Sequence, residues 1–168
     1  MTTSIAQLAF AILAIASLPG GHPIASFRNH ELGPEGRATE LATYFVDAAR
    51  ESHIDVFTLT AIAWSETNFD SSRVGKIGER SIMQLHPRTA AGRLYIRAMR
   101  RGWPRADLDV LAINLGSDAY RHGLEVCGFN RPRYALGFYR SGRCVAGPAV
   151  QRVMVARYKL LKASGAVL

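Results

Sequence analysis

Apolar positions recur at three and four along most of this chain, the spacing of helices rather than strands. Leu41, Tyr44, Phe45, Ala48 and Ala49 form one such stripe, in a helix that the pattern starts at Arg37. Ile54 and Asp55 interrupt it, and Asp55 is placed to cap the next helix, 56–67. That helix is apolar on nearly every side (Val56, Phe57, Leu59, Ala61, Ile62, Ala63, Trp64), which predicts a central, buried element. Residues 68–82 are polar and punctuated by Gly75 and Gly78, so a loop or short hairpin is expected. Helical patterns follow over 89–100, from a cap at Asp107 to about 126, over 134–139 from a start near Pro132, and over 148–162. No run reads as a strand. The pattern predicts a mainly α fold.

The N-terminal third adds two features. Residues 5–18 are an apolar run with no charge before Arg28. Its length suits the hydrophobic region of a secretory signal and is short for a membrane span. Ala14-Ile15-Ala16 offers a small-x-small cleavage pattern, although no Lys or Arg precedes the run. An N-terminal core helix is the alternative. Residues 19–36 are rich in Gly and Pro and read as a linker. The expected organisation is an export signal or apolar segment over 1–27, a linker over 28–36, and one domain over 37–168. The expected location is the periplasm or the outside of the cell.

Composition narrows the partners. The chain has 168 residues, 48% hydrophobic and 20% charged, as in a folded single domain. Its net charge of +8 suits an acidic polymer. The arginines are scattered from Arg28 to Arg157, and no nucleic-acid-binding signature is present, so no nucleic-acid partner is expected. Cys127 and Cys144 are the only cysteines and lack the spacing of a zinc or redox pair. In an exported chain they read as a disulfide; in a cytoplasmic one, as two buried thiols. His22, His30, His53, His86 and His122 have no metal-ligand spacing, and no phosphate-binding loop or Ser-His-Asp pattern appears, so neither metal nor cofactor is expected.

Glu66 is the residue that carries chemistry. It lies near the end of the apolar helix, among Ile62, Trp64 and Phe69. Apolar surroundings disfavour a carboxylate, and so does the negative end of a helix. Such a carboxyl keeps its proton toward neutral pH, as a general acid for glycosidic cleavage must. Most glycosidases add a second carboxylate. Asp70 and Glu79 are the nearby candidates, and neither stands in a clear nucleophile motif.

The segment Glu66-Thr67-Asn68-Phe69, a polar stretch, and Gly78-Glu79-Arg80-Ser81-Ile82-Met83-Gln84 with Pro87 resembles the catalytic region of the soluble lytic transglycosylase and goose-type lysozyme family. That family's pattern is roughly E-S-x-F, then G-A-x-G-L-M-Q and a Pro. Thr89-Ala90 and Asn114-Leu115-Gly116 with Tyr120 fit its later segments, and residues 135–142 stand where it has A-L-A-A-Y-N-A-G. The resemblance implies a lysozyme-like orthogonal helical domain acting on peptidoglycan glycan strands as a monomer. It implies Glu66 as the single acid/base, which leaves anhydromuramyl ends. It places Met83 and Gln84 in the glycan groove, lets Ser81 donate to a sugar, and makes Tyr139 a hydrogen-bonding tyrosine near Glu66. Three positions depart from the pattern: Glu79 stands for Ala, Ser81 for Gly, and Arg140 for Asn. A hydrolytic muramidase using Glu79 is the alternative on the same fold. A wall-binding protein without turnover is the alternative from another class.

Overall fold

The computed structural model describes residues 3–17 and 25–166. Among these the chain forms eight helices and no strand: α1 (Ile5–Ala16), α2 (Ala25–Arg28), α3 (Gly33–Glu51), α4 (Val56–Thr67), α5 (Ala90–Arg100), α6 (Arg105–Cys127), α7 (Pro132–Ser141) and α8 (Pro148–Ser164). The fold is mainly helical, as the periodicity predicts.

Helix α4 is the centre. The Asp55 side chain accepts from the Thr58 amide at 2.9 Å and so caps its first turn. Phe57, Leu59, Ala61, Ile62 and Ala63 are all buried, so most faces of the helix are covered. It packs on α8 and α3, and α6 packs on α3 and α7. Asp55 also takes a bond from Arg157 Nε at 2.7 Å, which ties the start of α4 to α8.

The N-terminal third is largely helical where it is described. The apolar run forms α1, with a capping box between Ser4 and Gln7, and packs on α3 and α8. Leu8, Ala11, Ile12 and Ala16 are fully buried, so the run completes the core in this structure. The expected linker is also structured where it is described. Phe27 is buried with its ring 6.0 Å from that of Phe69. Helix α3 starts at Gly33, ahead of Arg37, because Pro34 has a fixed φ suited to a first turn. Residue 18 of the apolar run and residues 19–24 of the linker lie outside the described residues. At the other boundary, α6 starts at Arg105, and Asp107 sits in its first turn rather than at the cap. There its charge still favours the positive helix end.

Cys127 and Cys144 form a disulfide with a Cα–Cα distance of 5.6 Å. It ties the last residue of α6 to the segment between α7 and α8. That segment lies close on α7 because residue 137 is glycine: a Cβ there would overlap the Val145 carbonyl. Among the described residues no helix is long and apolar enough to cross a membrane.

Candidate active site

Glu66 occupies the last turn of α4, and the chain after it is pinned on both sides. Asn68 and Phe69 both take left-handed φ values, 55° and 62°, so the chain reverses at once. Phe69 is fully buried, with its ring 5.4 Å from Trp64 and 6.2 Å from Phe45. The Thr67 hydroxyl donates to the Ile82 carbonyl at 3.0 Å, which fastens the helix end to the later loop.

That loop closes as a tight turn. Arg80 and Leu85 exchange backbone bonds of 3.2 and 2.7 Å, and Gln84 N–H donates to the Ser81 carbonyl at 3.1 Å. Ser81 and Gln84 bend the chain with φ of 77° and 49°. The first value lies in the region that favours glycine, the residue for which Ser81 stands in the resemblance. Here the Ser81 hydroxyl accepts from Met83 N–H at 3.2 Å and so supports the turn.

This turn moves two expected groove residues inward. Ser81 is 1% exposed and Met83 0%, so neither stands on the cleft wall. Met83 is drawn against α6, where Gly116 leaves room for it: a Cβ there would come within 2.6 Å of Met83 Cε. In this structure the two side chains serve packing and turn geometry. Gln84 does line the cleft, but its amide group donates to the Arg73 and Ser81 carbonyls, both at 3.2 Å. The backbone therefore already holds its donors.

The cleft itself has a volume of about 220 Å³, and Glu66, Glu79, Gln84, His86, Tyr139 and Arg140 lie on its wall. Tyr139 is near Glu66, but its hydroxyl donates to the Met83 carbonyl at 2.7 Å rather than to Glu66. Burial, with the negative charge of Glu66, pushes its ionisation well above the usual tyrosine range, so it remains a donor. Glu79 faces the cleft with Oε2 accepting from Ile77 N–H at 3.0 Å. It pairs with neither Arg73 nor Arg80 among the described residues. Asp70 is absent from the cleft wall and caps its own turn, its Oδ1 accepting from Ser72 N–H at 2.9 Å. His86 Nδ1 accepts from Arg88 N–H at 3.1 Å, a local turn contact.

The feature that sequence reasoning left open is Arg140. Its guanidinium pairs directly with Glu66 Oε1, across 74 residues of chain. The Glu66 side chain is 13% exposed and that of Arg140 27%. Burial pushes the Glu66 carboxyl up. The charges of Arg140 and Arg152 and the Arg140 hydrogen bond oppose it, while Glu79 adds to it. The balance lies above the ordinary glutamate value. Only the replacement of the family's Asn by Arg140 signalled this contact in the sequence.

No family model, curated protein or solved structure matches the chain. Among the described residues there is no cluster of His, Cys, Asp or Glu able to hold a metal ion.

Proposed function

We propose that the protein is a peptidoglycan lytic transglycosylase on a lysozyme-like helical domain, with Glu66 as its acid and base. The observation that carries the reading is a largely buried carboxyl, raised above its ordinary value, at the end of the central helix and on the wall of a cleft. In the proposed reaction Glu66 gives its proton to the oxygen between N-acetylmuramic acid and N-acetylglucosamine, and the C1–O bond breaks. The substrate's acetamido group stabilises the cation. The muramic C6 hydroxyl then bonds to C1 and returns its proton to the Glu66 carboxylate. No water is consumed, so the product is an anhydromuramyl end. The disulfide supports a site of action outside the cytoplasm.

One observation favours a second reading, a hydrolytic muramidase. Glu79 shares the cleft with Glu66, and its negative charge helps raise the Glu66 carboxyl. In that reaction Glu79 activates a water. Digestion of purified sacculi with mass analysis separates the two, because anhydro and reducing ends differ by one water. Glu66→Gln is expected to lower turnover by about a hundredfold to ten-thousandfold, the contribution of a positioned acid. Near wild-type turnover by that variant would remove Glu66 from the chemistry. Reducing-end products alone would select the hydrolase.

A further inference from the structure

A general acid must be neutral when it acts, yet Glu66 is held by a guanidinium. Arg140 lies in the last turn of α7, and its backbone is anchored by Tyr139 on one side and by the Cys127–Cys144 bond beyond Gly142. Its side chain is long and cationic, and it has Glu66 as its one ion-pair partner among the described residues. It lines the cleft beside Glu66, where a ligand would meet it. Arg152 on α8 is exposed, acts on Glu66 through its charge, and has no ion-pair partner among the described residues. Glu79 is the other charged group on the cleft wall, with Tyr139 and His86 the remaining titratable ones. The end of α4 is thus flanked by two arginines and offers them one carboxylate.

We propose that Arg140 is a carboxylate-binding residue of the cleft: an anionic substituent of the bound glycan replaces Glu66 as its partner, and Glu66 thereby becomes free to carry a proton. The proposal rests on the transglycosylase reading for its glycan ligand and adds what that reading lacks, a way to release the acid. Exchange of one carboxylate for another leaves the guanidinium with a charge-assisted partner throughout. Removing the Arg140 contact also removes the interaction that favours the charged form of Glu66. A neutral glycan offers no such exchange, so the site discriminates by charge. Arg152 adds to the attraction without having to leave a partner.

Small ligands with no scissile bond test the exchange apart from turnover. N-acetylmuramic acid presents its lactyl carboxylate, its lactyl amide presents none, and muramyl dipeptide moves the charge onto the peptide. Binding is measured by calorimetry on the full chain, with folding checked by circular dichroism. Glu66→Gln frees Arg140 and is expected to tighten binding of the carboxylate ligand about tenfold, because a competing internal partner is gone. Arg140→Gln is expected to weaken it about tenfold and to erase the preference over the amide, as for loss of a charge-assisted bond. Arg140→Lys restores part of the preference and serves if the Gln variant does not fold. Whichever of the two charged ligands shows this pattern identifies the source of the carboxylate. Equal affinities across the variants, or no tightening in Glu66→Gln, would overturn the proposal. Anhydro products from sacculi without the binding pattern would sink the carboxylate subsite alone. The pattern without any cleavage would sink the transglycosylase reading and leave the subsite standing.

Discussion

Arg37 with Asp109 and Arg140 with Glu66 are the same chemical pair in opposite surroundings. Arg37 joins α3 to Asp109 of α6 at 2.5 Å, and both side chains are buried, at 5% and 0% exposure. It also binds Glu40 at 2.5 Å and donates to the Ser71 hydroxyl at 3.3 Å. Burial alone would lower the Arg37 ionisation; the adjacent Asp109, with Glu40, more than offsets it. Among the described residues Arg140 has a single carboxylate partner, on the wall of an open cleft. A pair with several partners and no solvent is a fixed part of the frame. A pair with one partner and access to ligand is free to exchange. The difference lies in partner count and access, not in residue type.

The two pairs therefore part on stability. Asp109→Ala takes from a buried guanidinium one of its two carboxylate partners and leaves it Glu40; it is expected to cost about 3 kcal/mol, the low end of the range for breaking a buried pair by removing one partner. Replacing Arg37 and Asp109 together with apolar residues should cost less, since the charge then left behind, Glu40, is the one that is partly exposed. Glu66→Gln should leave the melting temperature near that of the wild type. The sign follows from the raised Glu66 carboxyl. Folding favours its protonated form, so its contribution is full below the ordinary glutamate range and is lost as pH rises through the folded value. The variant should therefore match or exceed wild-type stability at neutral pH and lose that edge in acid. Thermal melts of both variants across pH check this. A large destabilisation by Glu66→Gln at pH 7 would make the cleft pair structural too, and would erase the contrast.

The frame pair and the cleft pair were unequally legible in the sequence. Helix α4, its Asp55 cap and α8 follow from local spacing, because capping and periodicity act within a turn or two. The position of Glu66 is legible for the same reason. The inward turn at Ser81 and Met83 is not, since it depends on Gly116 of a helix more than thirty residues later along the chain. Arg140 has a ready local explanation at the end of a helix, where positive charge is favourable. Its actual partner is Glu66, which only the tertiary fold supplies. The packing of α1 is hidden similarly: an apolar run of that length serves a signal or a core helix equally well, and its contacts with α3 and α8 come from the tertiary fold.

The disulfide sharpens the comparison, because it bears on one pair and not the other. It closes a loop with a sequence separation of 17 that contains all of α7, and hence Arg140. Reduction is expected to lower stability by roughly 3 kcal/mol on the chain-entropy argument. It should also loosen the anchor of Arg140 while leaving α3 and α6 joined through Arg37 and Asp109. Melting with and without reductant, with thiol labelling of the unfolded chain to count bonded cysteines, gives the first effect. Hydrogen exchange gives the second, as faster exchange in α7 than at the α3–α6 contact. Uniform loss of protection would show that the two regions unfold as one unit.

Tyr139 lies between the two cases. Its ring packs against the core, and its hydroxyl spans from α7 to the Met83 carbonyl at 2.7 Å. As the hydrogen-bonding tyrosine near Glu66 that the resemblance implies, Tyr139 would on replacement by Phe lower activity with little change in stability. The geometry predicts a stability effect instead. Phenylalanine keeps the packing but leaves the carbonyl of a fully buried residue without its donor, at a cost of about 1–3 kcal/mol. The turn that carries Gln84 to the cleft would then lose its tie to α7 and keep its own internal bonds and the Thr67 contact. Turnover measured well below the melting temperature, where the variant is folded, separates the two accounts. A lower melting temperature with nearly full turnover assigns Tyr139 to the frame, beside Arg37 and Asp109. An unchanged melting temperature with a large loss of turnover assigns it to the chemistry, beside Glu66.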